Sequence, residues 1–303
     1  MLQIKNNTKL KGMSLAIAGP LLWGFSGIVA QFLFTTYQLS PKWLVCVRMF
    51  GAGLLLLIFG YGTIGRQIFN PWRQRATALK LVLFSFLGML PAQLTYFMAI
   101  HYSNAATATV LQFLSPVLII LYLALTQWRL PRIADLIAIF CALSGTFLLV
   151  TGGHFNHLNI SVLGLSWGLL TALSTAIYTL APRRMLTEFG SVTIVGWAML
   201  LGSFGMLPFV SQTPFAQTAL NGLGWLAILF VIIFGTLFAY LFVLKSLEYV
   251  APTVTSLLGA FEPLTSTILT VLFFHIAFGL SALIGTALII ATTLIQALVP
   301  AKK

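Results

Sequence analysis

The chain has 303 residues, of which 59% are hydrophobic and only 7% charged, with a formal net charge of +12. A water-soluble domain of this length needs far more surface charge, so the composition excludes a soluble enzyme or binding module and points to a membrane protein. The positive sum would suggest nucleic acid in a soluble chain, but its placement along the sequence excludes that partner.

An apolar run of about 20 residues crosses a ~30 Å hydrocarbon core as a helix. Such runs recur ten times, near 12–34, 43–61, 79–101, 104–126, 132–151, 162–182, 192–211, 221–244, 250–274 and 279–299. The fold class expected is therefore an all-α integral membrane protein of ten transmembrane helices in a lipid bilayer. The polar, basic stretch through Lys11 is followed by a run too long for a signal peptide and without a small-residue cleavage site, which predicts a retained first span. Lys5, Lys9 and Lys11 precede span 1; Arg66, Arg73, Arg75 and Lys80 lie between spans 2 and 3; Arg129 and Arg132 lie between spans 4 and 5. Arg183 and Arg184 follow span 6, Lys245 follows span 8, and Lys302 and Lys303 end the chain. All of these fall on one side, against Lys42 alone on the other and Arg48 inside span 2. Cytoplasmic loops retain Lys and Arg, so both termini are expected in the cytoplasm of a multi-pass plasma-membrane protein.

The first five spans match the last five weakly but in order. "KGMSLAIAGPLLWGFSG" from Lys11 pairs with "LGLSWGLLTALSTAIYT" from Leu163, and "HYSNAATATVLQFLSPVLIIL" from His101 pairs with "EYVAPTVTSLLGAFEPLTSTI" from Glu248. Gly12 thereby aligns with Gly164, and Pro116 with Pro263. The organisation expected is an N-terminal five-helix repeat (1–151), a short extracytoplasmic linker (152–161) and a C-terminal five-helix repeat (162–303). An odd number of spans per repeat makes the second enter from the opposite side, giving two inverted repeats, an arrangement suited to alternating access around a central site.

Within the spans two charges stand out. Glu262 lies slightly beyond the middle of span 9, where an acid costs at least ~2–3 kcal/mol and is tolerated when it faces a cavity or a partner. At helical spacing it shares a small, polar face with Thr255, Gly259 and Ser266. Pro263 has no N–H, so the carbonyl of Gly259 is expected to lose its helical partner. The equivalent face of span 4 carries Gln112 and Ser115, with Pro116 freeing the carbonyl of Gln112. Two broken helices meeting near the midplane are the pattern of a carrier site. Glu262 reads as substrate ligand or proton-coupling group, or else as a structural hydrogen-bonding or ion-pairing group. Arg48 lies some five residues below the outer end of span 2 and keeps its proton; snorkelling to the interface, pairing with Glu262 and capture of a substrate carboxylate are all open to it.

Asp135 starts span 5 beside Arg129 and Arg132, where helix capping accounts for it. Cys46 and Cys141 fall within spans, and His101, His154, His157 and His275 show no i,i+4 pairing on one helix, so no metal and no cofactor is expected. No GxxxxGK[ST] pattern is present, which excludes direct use of ATP through that motif. An integral-membrane enzyme acting on lipid-like substrates would cluster acids to hold metal and phosphate, whereas the four acids here are dispersed. A channel would show a charged ring or a repeated filter loop. A non-enzymatic carrier of a small-molecule substrate remains the leading reading, with a proton as a candidate coupling ion; the sequence sets no oligomeric state.

The ten spans, Trp23–Gly24 in span 1, Arg48, the Tyr-x13-Pro of each half (Tyr102 to Pro116, Tyr249 to Pro263) and Glu262–Pro263 resemble the EamA-type members of the drug/metabolite transporter superfamily. Members often carry Gly-Glu-Arg after spans 4 and 9, where this chain reads "TQWRLP" (Thr126–Pro131) and "FHIAFG" (Phe274–Gly279). The resemblance implies a secondary carrier, by family habit an exporter. It also implies a central cavity lined by spans 1–4 and 6–9, with spans 5 and 10 peripheral. In those lining spans Trp23, Gln93, Tyr96, Gln112, Tyr178, Trp197 and Tyr240 become wall candidates beside Arg48, Ser115 and Glu262. An acid and an arginine in one cavity suit an amino acid, a related zwitterion or a drug.

Overall fold

The computed structural model describes residues 2–127, 132–154, 159–211, 215–216, 219–276 and 278–298. Arg129, His157, Lys302, Lys303, the end of the last apolar run at 299, most of the Thr126–Pro131 stretch and part of the 152–161 linker lie outside these residues. Among the described residues ten helical stretches are long and apolar enough to cross a membrane: Lys9–Thr36, Pro41–Arg73, Arg75–Tyr102, Ala105–Thr126, Ile133–Thr151, Val162–Leu180, Ser191–Val210, Gly222–Ser246, Val254–Phe274 and Leu280–Leu298. They are spans 1 to 10 below. Among the described residues there is no β-strand, only an isolated bridge between Leu39 and Ala216. Span 2 runs further than its apolar run because a 3-10 helix, Gly65–Arg73, continues it. That turn is pinned to span 7 by the Trp197 indole, which donates to the Ile68 carbonyl at 2.9 Å.

The same two irregularities occur in each half. Span 3 passes through a π-helical turn at Ser85–Met89, and span 8 through one at Ile233–Phe238. Span 4 breaks between Ala105–Gln112 and Ser115–Gln127, and span 9 between Pro252–Leu258 and Phe261–Phe274. The breaks have a sequence cause in Pro116 and Pro263, each placed so that a backbone donor is missing just after the turn. In the π turns hydroxyls bond back to carbonyls of the preceding turn: Ser85 donates to Leu81 at 2.7 Å and Thr236 to Val231 at 2.8 Å. Π turns of this kind are frequent at functional sites.

Packing is reciprocal between the halves. Span 1 lies against spans 8 and 9, and span 6 lies against spans 3 and 4; spans 2 and 7 pair with each other, as do 5 and 10. Without a hydrophobic force between helices in lipid, small residues set these contacts. At the crossing of spans 5 and 10 a Cβ on Gly145 would sit 2.7 Å from the Gly285 carbonyl oxygen, and one on Gly285 2.6 Å from that of Gly145. At Gly24 a Cβ would stand 2.9 Å from the Glu262 carbonyl oxygen, so only glycine lets span 1 approach the acid-bearing turn. At the start of span 5 Asp135 accepts from the Arg132 N–H at 2.9 Å and from its guanidinium, while Gln296 of span 10 donates to the same carboxylate at 3.1 Å. The hydrogen bonds to Asp135 hold the Arg132 guanidinium above its ordinary pKa. Asp135 is thus engaged in capping and in tying span 5 to span 10.

Candidate functional site

The π turns and breaks converge on the middle of the molecule. There a central cavity of about 220 Å³ is walled by Trp23 and Ser26 of span 1, Arg48 of span 2, and Ala92, Gln93 and Tyr96 of span 3. Gln112 of span 4, Thr175 and Tyr178 of span 6, Gly235 and Tyr240 of span 8, and Glu262 of span 9 complete the wall. Six buried or half-buried polar side chains from different helices would not stay in hydrocarbon without water or a ligand to meet them.

Arg48 is 4% exposed, its guanidinium carbon lies 4.5 Å from the centroid of the Phe97 ring, and its Nε has no hydrogen-bond partner among the described residues. It therefore does not reach the interface by snorkelling; the aromatic face beneath it holds it in the wall. Glu262 is 7% exposed. Among the described residues the ion pairs within 4.0 Å are Arg132–Asp135 and Lys245–Glu248, so Arg48 and Glu262 share the cavity without touching each other. The two side chains reach the cavity from different helices, Arg48 from span 2 and Glu262 from span 9.

The backbone around Glu262 differs from the simple expectation. The Gly259 carbonyl, which Pro263 deprives of its α-helical donor, accepts instead from the Glu262 N–H at 3.0 Å. A tight turn at Gly259–Ala260 thus restores the bond and swings Glu262 to the start of the second half-helix, Phe261–Phe274. Gly259 itself lies in the wall of an adjoining space rather than presenting a free carbonyl.

That space is a vestibule of about 650 Å³, which meets the central cavity at Trp23, Gln112, Thr175 and Glu262. Ser115, Pro116, Thr179, Arg183, Thr255 and Gly259 are among its walls. It also takes in Thr293 and Gln296 of span 10, so that span is not wholly peripheral. Its residues lie toward the end of the bundle that carries the basic loops.

Polar cross-links brace the walls. Gln93 donates to the Tyr240 hydroxyl at 3.2 Å, and Tyr240 meets the Trp23 ring edge-on at 5.2 Å. Tyr96 and Thr109 share a hydrogen bond at 2.9 Å, and Thr109 and Ser266 another at 3.3 Å, joining spans 3, 4 and 9 one turn from Glu262. Tyr178 stacks on Phe84 at 5.9 Å. Of the wall candidates, Trp197 stands apart: it packs on Trp72 and Phe69 and bonds to Ile68 outside both spaces. Sequence reasoning missed Ser26, Thr175, Arg183, Thr293 and Gln296. The signal was there only for the hydroxyls, as Thr175 and Thr179 recur at one helical turn. No group of His, Cys, Asp or Glu that could hold a metal occurs among the described residues.

The EamA-like transporter family profile matches the chain twice, over residues 10–151 and 162–297. An "Uncharacterized inner membrane transporter YicL" of Salmonella typhimurium is 38% identical over 288 residues, covering 95% of each chain. An "Uncharacterized transporter" of Archaeoglobus fulgidus is 27% identical over 249 residues, covering 82% of this chain and 84% of its own. A solved crystal structure that is 20% identical superposes with a TM-score of 0.63 over 95% of this chain and 96% of its own, a likeness of fold alone.

Proposed function

The chain belongs to the EamA-like transporter family, and from that premise we propose that it is a secondary carrier exporting a small organic zwitterion, such as an amino acid or a related metabolite or drug, across the plasma membrane. The observation that carries this reading is that Arg48 and Glu262 line one buried cavity without forming an ion pair within 4.0 Å. A buried guanidinium with an unpartnered Nε costs several kcal/mol unless something pairs with it. A substrate carboxylate supplies that partner, and Glu262 on another wall receives the ammonium group. The aromatic rings of Trp23, Tyr96, Tyr178 and Tyr240 accept an apolar side chain between them.

The two five-helix halves are read as inverted repeats that exchange conformations around this site. Both termini lie in the cytoplasm by the distribution of basic residues, so the vestibule opens inward, the side from which an exporter loads. Glu262 takes a proton or the substrate's ammonium group but not both, and that exclusion couples proton entry to substrate exit.

The test is flux of a panel of labelled metabolites from proteoliposomes under an imposed proton gradient. Wild-type protein drives at least one zwitterion against its gradient, with saturation. Glu262→Gln inserts and folds normally but loses at least about 100-fold of gradient-driven flux, the loss of a charge-assisted contact of ~3 kcal/mol. Wild-type flux with wild-type pH dependence in that variant overturns the coupling role. Non-saturating flux would instead make the protein a channel.

A further inference from the structure

On the outer surface of the bundle, between spans 1 and 8, four phenylalanines of span 8 form a ladder. Phe230 and Phe234 lie 5.4 Å apart, Phe234 and Phe238 5.5 Å, and Phe238 and Phe242 5.8 Å. The last three, with Leu21, Leu22 and Phe25 of span 1, line a groove of about 480 Å³ in which every wall residue is apolar. Phe25 and Phe234 are 41% and 45% exposed, so the groove faces outward from the bundle and away from the substrate cavity.

At its basic end the groove runs into a second depression of about 560 Å³, sharing Phe238 and Phe242 with it. The character changes there: Lys11, Lys245, Thr63 and Ser191 join the wall, with Glu248 the single acid. Lys11 stands 5.2 Å from the Tyr249 ring centroid, and Lys245 pairs with Glu248 at 2.9 Å. Both ends of that pair are about half exposed, a setting in which an ion pair is weak and readily exchanged for another anion. From Phe234 to Lys245 is about 16 Å of helix, close to half of a ~30 Å hydrocarbon core.

We propose that this continuous groove is a binding site for one anionic phospholipid of the leaflet on the basic face, its acyl chain along the Phe234–Phe242 ladder and its phosphate between Lys11 and Lys245. The length matches a single leaflet, the apolar walls match hydrocarbon, and the net charge of two lysines against one glutamate matches a headgroup of net negative charge. A free phosphate has no use for the groove, and a zwitterionic headgroup places an ammonium group among the lysines. The site is separate from the central cavity, so it does not rest on the transport reading.

The experiment measures thermal stabilisation of purified, delipidated full-length protein in neutral detergent by phosphatidylglycerol and by phosphatidylcholine of the same acyl chains. Phosphatidylglycerol is expected to act at about tenfold lower concentration, from the attraction each lysine exerts on an anionic headgroup, and added salt narrows the difference. Lys11→Gln with Lys245→Gln brings the two lipids to parity, whereas Arg75→Gln with Lys80→Gln on the same face leaves the preference intact. Glu248→Gln, which removes the one competing acid, strengthens it. Free glycerol phosphate produces no shift. Equal action of both lipids on the wild type, an unchanged preference in the double lysine variant, equal loss in the Arg75/Lys80 control, or a comparable shift with glycerol phosphate would each overturn the proposal.

Discussion

At the end of the bundle away from the basic loops, the N-terminus of the broken span 4 is fastened to span 1: the Gln31 side-chain oxygen accepts from the Ala105 N–H at 2.8 Å. Nearby the Tyr37 hydroxyl donates to Asn221 at 2.6 Å, and the Ser40 N–H donates to the Phe215 carbonyl at 3.1 Å. At the basic end the corresponding half-helix of span 9 starts at Pro252, which has no N–H to donate, and among the described residues no side chain caps it. The residue that matches Gln31, at the offset that aligns Gly12 with Gly164, is Arg183, and it lines the open vestibule. Related elements are therefore closed at one end and parted at the other. The closure consists of a few hydrogen bonds, each worth only about 1 kcal/mol net, so it is compatible with a conformational exchange between the ends.

The comparison rests on a site common to both ends, and the largest expected effect comes from removing it. Arg48→Met should abolish transport, with flux reduced at least about 100-fold, while raising the melting temperature, because replacing an unpaired buried charge by an apolar side chain of similar length is stabilising by about 1 kcal/mol or more. Uptake assays and thermal unfolding of the same preparation check the pair of outcomes; loss of both activity and stability would make Arg48 a structural group. A middle-sized effect is expected at the closed end. Gln31→Leu leaves the Ala105 N–H without its partner, a cost of about 1–3 kcal/mol in the closed arrangement. Labelling of Gln112→Cys by an impermeant thiol reagent from the outer face, in a chain with Cys46 and Cys141 replaced by serine, should rise about tenfold; Tyr37→Phe should raise it a few-fold. Unchanged labelling in both would mean that these bonds do not hold the end shut. The smallest effect belongs to Trp197→Phe, which loses one hydrogen bond outside both spaces; flux within about twofold of wild type is expected, and a large loss in a well-folded variant would bring the spans 2–7 pair into the moving machinery.

The ten crossings were legible because a hydrophobic run of fixed length is a one-dimensional signal. The breaks in spans 4 and 9 were legible for a similar reason, since Pro116 and Pro263 forbid a donor at a known place. Arg48, Gln93, Gln112 and Glu262 were singled out because polar groups in hydrocarbon demand partners, and the structure places all four around one cavity. What the sequence did not reveal is which way an uncharged side chain faces. Trp197 and Tyr240 are both aromatic residues within spans, yet one braces a 3-10 turn and the other meets Gln93 at the cavity wall. Thr293 and Gln296 escaped notice because their role depends on how span 10 lies beside span 9, information that only packing supplies. The tight turn that repartners the Gly259 carbonyl likewise follows from backbone geometry rather than from residue type.

Gln93 and Tyr240 both lie just beyond a π turn, four residues after Met89 and two after Phe238. Such a turn stores one extra residue in the winding, so excising that residue would let the turn close to an ordinary α-helix with the remainder near its present azimuth, whereas a further residue that the turn cannot absorb would rotate the remainder by about 100° about the helix axis. A one-residue insertion among the bulky, bilayer-facing positions of either turn would thus carry Gln93 or Tyr240 out of the wall without touching any residue that lines it. The azimuth of the wall is set upstream of the wall, and insertions there would matter more to this protein than many substitutions inside the cavity.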